Sequence, residues 1–152
     1  MVNEHMATKP VVVGIDGSND SKAALQWAVE YGKRFDLPVY AVAVWELPLA
    51  FGNMATYPET GAQVEERTSK VLNEAVQEAV GADSGVLQRT ERGHPAKTLV
   101  EISESAELLV LGTRGRGAFR GMLLGSVSQH CASHSKCPFV VIRHPESDVE
   151  AK

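Results

Sequence analysis

Five short apolar runs separated by amphipathic stretches constrain the fold of this 152-residue chain more than any other feature. The runs are rich in Val, Ile and Leu, as expected for strands buried in a sheet. The stretches between them repeat apolar residues at helical spacing. The predicted strands cover residues 10–15, 39–44, 86–91, 108–111 and 137–142. The first predicted helix runs from the 18–21 cluster to about 35, and the others cover 64–80, 96–103 and about 126–135.

This alternation predicts an α/β fold, a single domain in which helices cover both faces of a five-stranded parallel sheet. The third strand, VLQRTE at 86–91, alternates in polarity and suits a sheet edge. The order 3-2-1-4-5 puts it there and makes the first and fourth strands neighbours where the order reverses. The domain is expected to span 10–143, between flexible tails at 1–9 and 144–152.

The segment after the fourth strand is unusually rich in glycine and arginine. Glycines occur at 112, 115, 117, 121 and 125, and arginines at 114, 116 and 120. Glycines let backbone N–H groups approach an anion, and a helix beginning at Ser126 would add partial positive charge. The segment therefore predicts a phosphate site, with a simple chain reversal as the alternative. Gly125 is followed directly by Ser126, so the ending Gly-Lys-Ser/Thr of a Walker A loop is absent.

Asp16 ends the first predicted strand. At the strand-order reversal its carboxylate would face the same crevice as the glycine segment. A helix cap is the alternative role, but the position at a strand end favours the site.

Composition narrows the function classes. Fifteen Lys and Arg against 19 Asp and Glu give a net charge of −4, which argues against general nucleic-acid binding. No apolar run approaches the ~20 residues of a membrane span. The first ten residues lack the apolar centre of a secretory signal. Two cysteines, at 131 and 137, provide no disulfide framework, so a cytoplasmic location is expected.

Several motifs, in order and at matching spacing over residues 10–143, resemble the universal stress protein family. They are VGIDGS at 13–18, G-x-P at 93–95, LGTRG at 111–115, GSVS at 125–128 and CPFVVI at 137–142. The resemblance implies a Rossmann-like fold of the adenine nucleotide α-hydrolase-like type, usually dimeric. The spacing Gly112-x-x-Gly115, nine residues, Gly125-Ser126 is similar to the signature of members that bind ATP.

The resemblance also implies residue roles. Asp16 would contact the ribose or hold Mg²⁺ through water, and the backbone of Val44 would meet the adenine. Residues 125–128 would offer N–H and hydroxyl groups to the terminal phosphates. The expected nucleotide-binding residues are Ile15, Asp16, Gly17, Val44, Gly112, Arg114, Gly115, Arg116, Gly125, Ser126, Val127 and Ser128. No catalytic residue and no protein-held metal site is expected.

The expected function is that of a nucleotide-responsive regulator in the stress response, in which bound ATP changes the surface shown to an unknown protein partner. One alternative is binding of AMP or cyclic AMP, because the adenine and ribose contacts would be shared. A second is weak ATP hydrolysis or self-phosphorylation, although no base stands beside Arg114, Arg116 and Ser126. A third is a dimer module that acts through protein contacts alone.

The fifth strand is continuously apolar and falls at the second sheet edge, which predicts a homodimer through residues 138–143. A covering helix or tail is the alternative. Residues 46–62 contain two prolines and two glycines and predict a loop or lid, whose apolar side chains would cover a flat ligand or pack against a neighbouring helix or subunit.

The His130, Cys131, His134 and Cys137 pattern invites a zinc interpretation. His130 and His134 would share a helix face, but Cys131 would be turned about 100° away, so no closed ligand set results. The cysteines are expected to pack as small apolar groups.

Overall fold

The computed structural model of the protein describes residues 8–47, 59–115 and 123–144. Its strands are β1 Val11–Gly14, β2 Val39–Trp45, β3 Leu87–Arg92, β4 Leu108–Gly112 and β5 Phe139–Ile142. Its helices are α1 Asn19–Phe35, α2 Gly61–Val80, α3 Pro95–Ser103 and α4 Ser126–His134. All strand pairs are parallel, in the order β3-β2-β1-β4-β5. The predicted fold class and strand order are confirmed.

The helix ends follow from local capping chemistry. Ser18 caps α1 by accepting a hydrogen bond from the Ser21 N–H at 3.2 Å. Thr60 and Gln63 form a reciprocal capping box, so α2 begins at Gly61. The predicted start at 64 is wrong because it relied on apolar spacing and overlooked this box. Gly81 ends α2 with a φ of 84°, a conformation that favours glycine, and the predicted end at 80 is confirmed.

The sheet separates two apolar cores. Because side chains alternate along a strand, Val11 and Val13 pack with α1 and α2, whereas Val12 packs on the opposite side with α3 and α4. Leu109 and Val110 of β4 are fully buried and divide between the two cores in the same way. Coverage on both faces explains why the central strands read as unbroken apolar runs.

The chain leaves neighbouring strands β1 and β4 in opposite directions. α1 follows β1 on one face of the sheet, and α4 lies on the other. A crevice therefore opens between them beyond the strand ends, as expected at a topological switch point.

The two edges differ in character. β3 is largely exposed and polar, as predicted for an edge. All four residues of β5 are half-buried, and in the described part of the chain β4 is the one strand that pairs with it. The predicted tail residues 1–7 and 145–152 and the central lid residues 48–58 lie outside the described residues. None of the described helices has the length and apolarity needed to cross a bilayer.

Candidate functional site

A cleft of about 770 Å³ lies at the carboxyl ends of β1, β2 and β4. All but two of the predicted site residues line it: Ile15, Asp16, Val44, Gly112, Arg114, Gly115, Gly125, Ser126, Val127 and Ser128. Gly17 is not among the lining residues; with a φ of 85° it turns the chain from β1 towards α1. Arg116 lies outside the described residues. The convergence of Asp16 with the glycine segment on one crevice is therefore as predicted, while the ligand contacts of these residues stay a prediction.

Asp16 is exposed in this cleft and held by its own turn. Its Oδ1 accepts a hydrogen bond from the Ser18 N–H at 2.9 Å, an arrangement that suits an aspartate before a helix. Its Oδ2 lies across the crevice beside Gly115, where a Cβ atom would come within 2.4 Å of it. The strand-end carboxylate and the glycine segment are thus immediate neighbours.

The two ends of the glycine segment close on each other. The Gly125 N–H donates to the Thr113 carbonyl at 2.6 Å. A Cβ on Gly125 would lie 3.5 Å from Arg114 Cα and from the Gly115 nitrogen. Gly125 therefore lies beside the backbone of Arg114 and Gly115, and the two ends of the glycine segment are neighbours.

The N-terminus of α4 borders the cleft through Ser126 and Val127. Its N-cap is Gly125, so no capping side chain occupies the first N–H groups of the helix. Helix N-termini carry partial positive charge and bind anions. Arg114 lines the same region and adds a formal positive charge.

Ser128 is oriented differently from the expectation that its hydroxyl would face terminal phosphates. The residue is 4% exposed, and its Oγ donates to the Gly112 carbonyl at 2.6 Å. Its hydroxyl hydrogen therefore anchors α4 to the end of β4. Ser126, in contrast, is exposed at the helix start.

Asp20 and Thr113 support the site, and sequence analysis did not identify either role. Asp20 belongs to the 18–21 cluster at the start of α1, but Ser18 is the residue that caps this helix. The Asp20 Oδ2 instead accepts from Thr113 Oγ1 at 2.8 Å and from the Arg114 N–H at 3.2 Å. The one available signal was spacing, because Asp20 precedes the buried Ala24 by four residues and so falls on the core-facing stripe.

Further lining of the cleft comes from residues that were not predicted to belong to the site. α2 contributes Arg67, Thr68 and Val71, and α3 contributes Pro95 and Leu99. Arg67 forms an ion pair with Glu59, and this hydrogen bond raises the pKa of the guanidinium above its ordinary value. The cleft thus has an apolar wall with a permanently charged residue on α2.

The histidines and cysteines form no metal cluster in the part of the chain that the structure describes. The rings of His130 and His134 stack at 4.3 Å on the exposed face of α4. Cys131 is fully buried and packs in the core between α3 and α4, as predicted. Burial raises the pKa of its thiol to about 11.

These features define a doubly wound α/β protein with a cleft at its switch point that combines a carboxylate, a glycine turn and a helix N-terminus. The family model described as universal stress protein family matches residues 7–143. The chain belongs to this family.

A universal stress protein of Mycobacterium tuberculosis is 38% identical over 143 residues, covering 90% of this chain and 48% of the relative. The chain thus spans about half the length of that relative. One of Methanocaldococcus jannaschii is 33% identical over 150 residues, covering 92% and 85% of the two chains. A solved structure of a universal stress protein in complex with cAMP superposes with a TM-score of 0.62 at 27% identity, covering 90% of this chain and 98% of that one.

Proposed function

We propose that this protein binds an adenine nucleotide in the switch-point cleft, preferentially ATP with Mg²⁺, and acts as a cytoplasmic nucleotide-responsive regulator in the stress response. The observation that carries the proposal is the juxtaposition of Asp16 with Gly115 beside the N-terminus of α4. A carboxylate, bare backbone amides and a helix N-terminus meet in one cavity of about 770 Å³. That volume falls in the range of about 300–1,000 Å³ typical of small-molecule sites.

The phosphate end of the proposed site is the glycine turn. Gly112 and Gly115 bring the backbone to the cleft without side chains in the way, and Arg114 and the α4 N-terminus provide positive charge. The 27% identical solved structure is a complex with cAMP, an adenine nucleotide, and so supports the same ligand class here.

The nucleoside end is the apolar side of the cleft. Val42 and Val44 at the end of β2, with Val71 of α2, offer surface for a flat base. Asp16 lines the same cleft beside Gly115, where ribose hydroxyls would donate to its carboxylate. Arg67 and Thr68 border the base side and provide polar groups there.

A magnesium ion fits the donor set through Asp16. Mg²⁺ is usually held by one or two carboxylates together with substrate phosphates, and it keeps several waters. Asp16 is an exposed carboxylate beside the proposed phosphate turn. When bound, the ion would neutralise phosphate charge, and Asp16 would hold it through water.

The direct test is calorimetry on protein freed of nucleotide by unfolding and refolding, with ATP, AMP and cyclic AMP titrated side by side with and without Mg²⁺. ATP is expected to bind best, and Mg²⁺ is expected to strengthen binding in wild type more than in Asp16→Asn, which keeps the acceptor for Ser18. Mass spectrometry of small molecules released from untreated protein provides a second readout. The proposal is refuted if the protein takes up no adenine nucleotide. If it binds cyclic AMP more tightly than ATP, cyclic AMP is the ligand instead.

Binding is favoured over turnover by the chemistry of the lining. Asp16 is the single carboxylate among the described lining residues, and no His or Lys is among them. Phosphoryl transfer needs an oriented nucleophile as well as charge stabilisation. With ATP and Mg²⁺, phosphate release in the presence of the protein is therefore expected to stay near the rate in buffer alone. A rate clearly above that of buffer, lost in Asp16→Asn, would overturn the expectation that the protein binds ATP without hydrolysing it.

We also propose a homodimer through residues 138–143. Val140 and Ile142 pack towards the α1 and α2 core and Phe139 towards the α3 and α4 core, so both faces of this edge are apolar. Unprotected apolar edges pair with other chains. Sedimentation velocity should show a dimer for wild type and a monomer for Val141→Arg, whereas Arg89→Lys on the opposite edge should remain dimeric. A wild-type monomer at micromolar concentration would contradict the assignment.

A further inference from the structure

Asp20 is a buried carboxylate that contacts two separate parts of the chain. It is 5% exposed in the first turn of α1. On one side its Oδ2 accepts from the Thr113 hydroxyl at 2.8 Å and from the Arg114 N–H at 3.2 Å. On the other side its Oδ1 accepts from the His144 N–H at 3.3 Å. A buried charge is tolerated only with such hydrogen bonds, so the donors must stay in place around it.

Thr113 extends this network in two further directions. Its N–H donates to the Ile142 carbonyl at 2.9 Å, and its carbonyl accepts from the Gly125 N–H at 2.6 Å. Thr113 is itself 7% exposed. Thr113 therefore links the glycine turn at 112–115 to the end of β5 and to Gly125, the N-cap of α4.

The first turn of α1 is pressed closely against the end of β4. A Cβ added to Gly112 would lie 2.6 Å from Asp20 Cβ and 2.7 and 2.9 Å from its backbone carbon and oxygen. This contact leaves little room for Asp20 to shift relative to β4. A displacement of the glycine turn must therefore be taken up by the hydrogen bonds of the Asp20 carboxylate.

We propose that Asp20 is a positioning residue with two linked roles: it holds the glycine turn at 112–115 in its ligand-binding geometry, and it couples that turn to the chain leaving β5 at His144. The inference rests on the proposed nucleotide function. A ligand that orders the turn then also steadies His144, which follows the edge strand of the proposed dimer.

Thr113 supplies the matched pair of variants for the turn. Thr113→Val keeps the side-chain shape but removes the hydroxyl that donates to Asp20, whereas Thr113→Ser keeps the hydroxyl and removes the methyl group. Both alter a buried side chain, so both are expected to lower the melting temperature. Only Thr113→Val should weaken ATP binding, by about tenfold, which is within the usual range of coupling between sites.

Asp20→Asn tests the carboxylate. Whichever way the amide is oriented, its NH₂ group replaces an oxygen that faces either the Arg114 N–H or the His144 N–H. At least one of these donors then loses its acceptor. Faster amide exchange at residue 114 or 144, measured by NMR, is expected in the ligand-free protein. Ser103→Ala is the control. It removes a buried hydroxyl on α3 that donates to the Val100 carbonyl and accepts from the Lys136 N–H. Ser103 is not a lining residue of the cleft.

The outcomes separate the two roles. If Thr113→Val and Asp20→Asn lower the melting temperature as Ser103→Ala does while the Kd for ATP stays within about twofold of wild type, Asp20 is merely structural and the first role is wrong. The second role requires ATP to slow exchange at the His144 amide in wild type but much less in Asp20→Asn. Unchanged exchange at His144 on saturation with ATP would refute it.

Failure of the proposed function is recognised independently. If wild type takes up no nucleotide, the coupling through Asp20 is tested by amide exchange in the ligand-free protein alone. Thr113→Val should then still accelerate exchange at His144, to which the Thr113 hydroxyl is linked through the Asp20 carboxylate. An unaltered His144 rate in that variant would overturn the coupling whatever the protein binds.

Discussion

Gly115 and Asp16 lie so close across the crevice that a methyl group on Gly115 would come within 2.4 Å of the Asp16 Oδ2 atom. Asp16 ends β1, and Gly115 follows β4. Because Gly115 has no side chain, the Asp16 carboxylate can occupy the space beside it.

Gly115→Ala is expected to weaken ATP binding by about tenfold with little loss of stability, since the clashing atom is the end of an exposed side chain that can move. Calorimetry measures the affinity, and thermal unfolding without ligand checks the fold. A variant that binds ATP as tightly as wild type would show that the Asp16 position does not matter for the ligand.

Gly112→Ala, in contrast, is expected to lower the stability of the fold. Its Cβ would meet the backbone of Asp20 at 2.7–2.9 Å, and backbone in a helix cannot yield cheaply. Overpacking of this kind costs about 1–3 kcal/mol, so the free energy of unfolding in urea should fall by that amount.

Gly61→Ala is the control for this loss of stability. A Cβ there would make an ordinary contact with Trp45 at 3.6 Å, in the first turn of α2. Its unfolding free energy should stay equal to wild type or rise by a few tenths of a kcal/mol. Equal stabilities for Gly112→Ala and Gly61→Ala would contradict the close packing of α1 on β4.

The two serines of α4 are predicted to separate binding from folding. Ser128→Ala leaves the Gly112 carbonyl without its donor in a buried site, and this should cost about 1–3 kcal/mol of unfolding free energy. Ser126→Ala alters an exposed lining residue and should instead reduce ATP affinity severalfold at unchanged stability. Urea unfolding and calorimetry on both variants test this prediction. If Ser126→Ala lowered stability and Ser128→Ala lowered ATP affinity, the roles assigned to the two hydroxyls would be exchanged.

The two cysteines should react very differently with thiol reagents at pH 8. Burial raises the pKa of Cys131 to about 11, so its reactive thiolate is scarce as well as inaccessible. Cys137 is half-buried and should be labelled first. Simultaneous labelling of both thiols in folded protein would argue that α4 opens readily.

The same shift predicts a pH dependence of stability. The folded pKa of Cys131 lies above its ordinary value of 9.0, so the unfolded chain loses this proton first as pH rises. The contribution of Cys131 is therefore complete below pH 9 and is lost between pH 9 and about 11. The difference in unfolding free energy between wild type and Cys131→Ala should shrink across this window, and a constant difference would refute the shift.

Much of the architecture was predictable because it depends on local periodicity. The apolar runs predicted the five strands, and the polar alternation of 86–91 predicted an edge that β3 indeed occupies. The spacing of Gly112, Gly115 and Gly125 predicted a segment that faces the same crevice as Asp16, and all three glycines line the cleft. The capping box at Thr60 was equally local and was overlooked.

The amino-acid order by itself determined the sequence of strands and helices, the glycine turn and the candidate carboxylate at Asp16, since each depends on backbone preferences within a few residues. Only the tertiary structure decided that Asp20 would bind Thr113, that Ser128 would face Gly112 and that Arg67 would border the cleft. A hydroxyl or carboxylate can bond any donor or acceptor within about 3 Å, and the packing of distant segments selects which one comes that near.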